Sequence, residues 1–121
     1  YADVLLSKAE ALANKTGVPT QEAIDLVNIV RNRAQISEIA LADYADIDTF
    51  NTMILLERSH EYWCENGQYR ADLIRHGKYT EYANALNGVA SQSADYKALF
   101  PFSLARISEG KGAFKQNPGY N

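Results

Sequence analysis

The chain has 121 residues, of which 46% are apolar, with a net charge of −3 and a pI near 5.3. That length allows one domain at most and enough apolar mass for a real core. The acidic balance argues against a nucleic-acid partner, which needs a clustered Lys/Arg surface, and no run of about 18 apolar residues marks a transmembrane helix.

Ala2, Leu5, Ala9, Leu12 and Ala13 repeat at helical spacing, so residues 1–15 read as an amphipathic helix. Gly17 is a stop signal and Pro19 bars continuation. Thr20 is a good N-cap for a second helix, with Glu22 favoured in its first turn by the helix dipole. That helix is expected to bury Ala23, Leu26, Val27, Val30 and Ala34. Residues 1–34 thus read as an αα-hairpin of tetratricopeptide-like character, a unit that closes its core only against neighbours. Tyr1 already lies inside the helical pattern and no signal peptide is visible in the sequence, so the chain is expected to be a fragment with exposed apolar surface.

Residues 35–47 show no clear periodicity. Asp46 or Asp48 is expected to cap a third helix over about 49–65. On a wheel of about 100° per residue, Phe50, Met53, Ile54, Glu57, Glu61 and Cys64 share one face. Leu55, Leu56, Tyr62 and Trp63 lie off that face, so the helix is expected to be largely buried, with Trp63 in the core. Cys64, the lone cysteine, is expected to act as a small apolar residue and can form no internal disulfide. Asn66-Gly67 breaks the helix. A fourth helix follows at about 68–76, stopped by Gly77, which makes 48–77 a second helix pair. Residues 78–121 read as a loop-rich tail with a short helix at 80–87 ending at Asn87-Gly88. Ser91, Ser93 and Asp95 suggest a solvated connection. Phe100-Pro101-Phe102 is expected to pack against the helices, and Ser103 to cap a turn reaching Ile107. The fold class is all-α.

Glu57 and Glu61 stand in the middle of an apolar stripe, where a carboxylate is costly unless paired. Arg31, Arg33, Arg58, Arg70 and Arg75 are the available partners. The expected structural polar network comprises Glu57, Glu61, Arg31, Arg70, Asp72 and Arg75, with Arg31 or Arg70 favoured to meet Glu57. One rival reading makes Glu57 and Glu61 the acid/base pair of a small helical hydrolase. A core-facing stripe is a poor place for such a pair. Glu57-x-x-His60 matches half of a di-iron motif, but the ligand count fails at His76, so neither metal nor cofactor is expected. His60 is expected at the core edge with a hydrogen-bonded ring. Among aromatic groups, Tyr79, Tyr82 and Tyr96 fall in the loop-rich part, where binding residues concentrate, and are the candidate ligand contacts.

Several motifs carry a family resemblance. Glu57-Arg58, Glu61, Glu65, Gly67, Arg70, Asp72-Leu73 and Arg75 follow an "ER…E…EG…R…DL.R" pattern. Leu99-Phe100-Pro101-Phe102 is similar to a hydrophobic "PIP" segment, and Gln116-Asn117-Pro118-Gly119-Tyr120 to a terminal "QNPGY". The opening Tyr1-Ala2-Asp3-Val4-Leu5-Leu6, Ala9-Glu10-Ala11-Leu12 and Asn28-Ile29-Val30-Arg31 match the helix pair upstream. Taken in order, these resemble the C-terminal portion of the SusD/RagB family. Asn66 lengthens one interval by a residue, Tyr69 stands where Arg is frequent, Ser103 replaces a proline, and Arg106-Ile107 replaces Glu-Ile.

The resemblance implies a binding protein rather than an enzyme. Family members are outer-membrane, cell-surface lipoproteins of Bacteroidetes that capture glycans, or in some cases peptides, and form a lid over a SusC-like TonB-dependent transporter. Oligosaccharide and transporter are thus the implied partners, and tetratricopeptide-like helix pairs the implied scaffold. The lipid anchor and most sugar contacts lie outside this portion. The alternative without the resemblance is a cytosolic tetratricopeptide-like scaffold that binds peptides.

Overall fold

In the computed structural model, residues 1–65, 67–87 and 93–120 are described. Their helices are α1 (Ala2–Thr16), α2 (Gln21–Arg33), α3 (Ile47–Glu61), α4 (Gln68–Arg75), α5 (Tyr79–Asn87) and α6 (Leu104–Glu109). Short 3-10 turns lie at Leu41–Asp43 and Asp95–Ala98. No strand occurs among the described residues. The fold is all-α, and α1 with α2 forms a tetratricopeptide-like hairpin. No described helix is long and apolar enough to cross a membrane. The residues group into two compact units, Tyr1–Tyr69 and Arg70–Asn121.

In the first unit, α1 packs on α2 and on α3. Gly17 closes α1 at φ 75, a left-handed value that glycine adopts without strain. Thr20 caps α2, its hydroxyl accepting the Ala23 N–H at 3.2 Å. The core holds Ala2, Leu5, Leu6, Ala9 and Ala13 of α1, Ala23, Ile24, Val27 and Val30 of α2, and Phe50, Met53 and Ile54 of α3. Small alanines on α1 and α2 let the two helices approach closely, while Leu6, Ile24 and Phe50 fill the space between them. Leu12 and Leu26 are half-buried at the margin. Ala34 lies outside the core, contrary to the periodicity, because α2 ends at Arg33 and Ala34 is its exposed cap.

The segment without periodicity, 35–46, is fastened by side chains. Asn28 donates its Nδ2 to the Ile39 carbonyl at 3.0 Å and accepts the Ile39 N–H on Oδ1 at 2.9 Å. Arg31 Nε donates to the Ser37 carbonyl at 2.7 Å. Ile39, Leu41 and Tyr44 then pack on the core, with Tyr44 edge-on to Phe50 at 6.2 Å. The segment leaves α2 through a Schellman turn. Ile36 N–H donates to the Arg31 carbonyl and Gln35 N–H to the Asn32 carbonyl, with Gln35 at φ 58. Asp46 caps α3 by accepting the Thr49 N–H at 2.8 Å, and that bond holds its carboxyl below the usual range.

Helix α3 stops four residues short of the predicted end. Tyr62 N–H donates to the Arg58 carbonyl, Glu65 N–H then closes a turn on the Tyr62 carbonyl at 2.9 Å, and Cys64 takes φ 62. The chain therefore leaves the helix before the stripe reaches Cys64. Cys64 is exposed rather than in an apolar face, and Trp63 is 79% exposed rather than in the core. His60 and Leu56 also face water. Asn66, half of the predicted breaker, lies outside the described residues.

The second unit begins within α4. Lys78 N–H donates to the Leu73 carbonyl and Gly77 N–H to the Ile74 carbonyl, a Schellman end with Gly77 at φ 67. Asp72 and Leu73 are buried. Helix α5 packs beside the Asp95–Ala98 turn. Asn84 bonds both backbone groups of Ser93, at 3.3 and 2.6 Å. The predicted end at Gly88 and the predicted solvated Ser91 lie outside the described residues. Ser103 caps α6, accepting the Arg106 N–H at 3.3 Å. Phe100, Pro101 and Phe102 are exposed, not packed under helices as predicted. The tail holds them instead through polar bonds.

Candidate functional site

Charged groups in the first unit are arranged in pairs. Arg31 of α2 donates to the Glu57 carboxylate of α3, and Arg33 to that of Glu61. Glu57 is 5% exposed and Glu61 18%. Hydrogen bonding to the Glu61 carboxylate, then the charge of that carboxylate, raises the Arg33 pKa. Burial raises the Tyr44 pKa, an effect that the Arg31 charge opposes. Next to Glu57 along α3, Arg58 is 3% exposed. It donates to Asp3 at 2.8 Å and to Ser7 at 3.1 Å, and its guanidinium lies 5.3 Å from the Tyr62 ring centre. Both candidate hydrolytic carboxylates are therefore engaged by guanidinium groups. The arrangement suits a rigid scaffold.

Aromatic and basic groups meet in the second unit. The Arg70 guanidinium lies 4.9 Å from the Tyr79 ring centre and 4.3 Å from that of Phe100. It also donates to the carbonyls of Lys97 and Ala98, at 3.2 and 2.9 Å. Arg70 thus ties α4 to the segment before Phe100. Asp72 is buried and accepts from Arg75 at 2.9 Å. Ile74, Gly77, Tyr79, Thr80, Asp95 and Ala98 line a recess of about 150 Å³.

The candidate tyrosines are each partly engaged within the chain. Tyr79 gives one face to Arg70. Tyr96 meets Tyr120 edge-on at 4.8 Å, and Gly119 lies so close that an added Cβ would fall 2.3 Å from its ring. Tyr82 is half-buried on α5.

The terminal motif reads directly in this geometry. Gln116 accepts the Phe102 N–H and donates to the Phe102 carbonyl, both at 2.9 Å. Asn117 donates to the Phe100 carbonyl at 2.7 Å, and Tyr120 Oη to that of Leu99 at 2.8 Å. The tail is a side-chain substitute for a β-strand neighbour. Sequence reasoning singled out both segments but not their pairing. The signal was the amide residues themselves, which offer a donor and an acceptor on one flat group.

An arginine-braced helical hairpin unit and a second unit with aromatic loops define an all-α helical scaffold. The SusD family model matches residues 1–120, and the chain belongs to that family. Among solved structures it is similar to surface glycan-binding protein A from Bacteroides thetaiotaomicron, with a TM-score of 0.74 and 28% identity. The match covers 98% of this chain and 23% of that one, so the chain spans about a quarter of its length. No curated protein sequence matches.

Proposed function

We propose that this chain is the scaffold portion of a glycan-binding protein exposed at the bacterial cell surface. The observation that carries the reading is the structural match along 98% of the chain to a surface glycan-binding protein. The paired carboxylates Glu57 and Glu61 agree with it, since they brace helices and leave no acid/base pair. In this reading the intact protein is a lipid-anchored outer-membrane component and works with a SusC-like TonB-dependent transporter. Tyr79, Tyr82 and Tyr96 are the contacts offered to an oligosaccharide. Within the first unit the pairs Arg31–Glu57 and Arg33–Glu61, and within the second the Asp72–Arg75 pair and the Arg70 bonds to Lys97 and Ala98, keep each unit rigid.

Affinity electrophoresis of the intact protein in gels cast with neutral and acidic polysaccharides tests the reading. At least one polysaccharide is expected to retard it, with no reducing ends released on long incubation. Migration unaffected by every polysaccharide would sink the glycan reading. Co-purification of a tagged intact protein with a β-barrel transporter tests the partner.

A further inference from the structure

We infer that the recess between the end of α4, the start of α5 and the Asp95–Ala98 turn is a subsite for one sugar ring of a longer glycan. This rests on the glycan-binding reading above and adds a place and two polar contacts, Thr80 and Asp95, to it. Ile74, Gly77, Tyr79, Thr80, Asp95 and Ala98 line the recess, which measures about 150 Å³. Pockets for drug-sized molecules begin at roughly 300 Å³, so this one takes a single ring rather than several. A sugar ring presents C–H groups to apolar and aromatic walls and hydroxyls to polar ones. Ile74, Tyr79 and Ala98 supply the first kind of wall, and Thr80 and Asp95 the second.

The walls are fixed before any ligand arrives. Arg70 lies 4.9 Å from the Tyr79 ring centre and donates to the Lys97 and Ala98 carbonyls, at 3.2 and 2.9 Å. One guanidinium therefore couples the α5 wall to the turn that carries Asp95. Asn84 holds the chain entering that turn through both backbone groups of Ser93. The corner between α4 and α5 is closed by Gly77 N–H on the Ile74 carbonyl and Lys78 N–H on the Leu73 carbonyl. Walls that are already ordered lose little freedom on binding. The two polar side chains take no part in this bracing. Among the described residues, the Thr80 hydroxyl and the Asp95 carboxylate make no hydrogen bond or ion pair, yet both line the recess. A carboxylate offers two acceptor oxygens, which suits adjacent sugar hydroxyls, and a threonine hydroxyl can donate or accept.

The test uses the intact protein with maltohexaose, mannohexaose and xylohexaose as probes. Calorimetry measures binding, and amide hydrogen exchange locates it. A hexaose that binds is expected to slow exchange in peptides spanning 74–82 and 93–99 and to leave 1–34 unchanged. Tyr79→Ala is expected to weaken binding about tenfold, Asp95→Asn about fivefold and Thr80→Val about threefold, each checked for folding by circular dichroism. Tyr79→Ala also takes a ring away from Arg70. The other two variants leave that brace intact, so they separate contact from support. A hexaose that binds Asp95→Asn and Thr80→Val as tightly as the parent overturns the subsite and leaves the glycan reading standing, even where Tyr79→Ala weakens it. Protection confined to other peptides does the same. Where a polysaccharide retards the protein and no hexaose binds, the affinity gel makes the same comparison of variants, and equal retardation overturns the subsite. A protein that no polysaccharide retards and no hexaose binds overturns both.

Discussion

Between Tyr1 and Tyr69, Leu6, Ile24, Val27, Phe50 and Ile54 expose no surface to water. Between Arg70 and Asn121, Leu73 is the one buried apolar side chain among the described residues, while Phe100 is 73% exposed and Leu104 77%. The first unit is built by apolar burial, which is non-directional and tolerant of detail. The second is built by directional bonds from Arg70, Asn84, Gln116, Asn117 and Tyr120, each of which depends on one group in one place. The same chain therefore holds one unit that resists small chemical changes and one that is sensitive to them.

Deleting a phenyl ring from each unit breaks this comparison most directly. Phe50→Ala is expected to cost about 3–5 kcal/mol, because a fully buried ring leaves a cavity. Phe100→Ala is expected to cost under about 1 kcal/mol, since its ring is already in water. Urea unfolding followed by circular dichroism measures both, and equal losses would show that the second unit has a core of its own. Glu57→Ala comes next, at about 3 kcal/mol, because the half-shielded Arg31 loses its counter-charge. A loss below about 1 kcal/mol in the same titration would mean that the pair is solvated.

Gly119→Ala sharpens the contrast. The new Cβ meets Tyr96 in a backbone region that disfavours side chains, at φ 88. Amide hydrogen exchange at Phe102 is expected to speed by about tenfold or more while core amides of α1 stay protected. Uniform acceleration through both units would contradict the local-latch account. Gln35→Gly has the smallest effect, a gain of about 0.5–1 kcal/mol, because Gln35 holds a left-handed position at the Schellman turn after α2. An unchanged or lower urea midpoint would argue against that backbone conformation.

The same contrast explains what could be read in advance. Helical periodicity reports apolar burial, so α1, α2 and the Phe50 stripe were legible, as were the caps Thr20, Asp46 and Ser103. Pairing of Glu57 was legible because an unpaired carboxylate in that stripe is costly. Trp63 and Cys64 were misplaced because the wheel assumes that the helix continues, whereas α3 ends at Glu61. Nothing at Tyr62 or Trp63 is a breaker, and the stop signal at Gly67 lies further on. The 35–46 segment was opaque for another reason. Its order comes from Asn28 and Arg31 on the preceding helix, and no local pattern in the segment records them.

Three amide side chains, Asn28, Asn84 and Gln116, each hold both backbone groups of a single residue. That arrangement sets how the molecule ages. Slow hydrolysis of an amide to an acid removes its N–H donor and puts a carboxylate oxygen against a carbonyl, turning an attraction into a repulsion without changing the shape. In stored protein, loosening of 35–46, of Ser93 or of the tail would follow deamidation site by site. Asn117 is better protected, because Pro118 after it has no backbone N–H to attack its side chain. The tail's chemical lifetime is therefore set by Gln116, the slower-reacting homologue of asparagine.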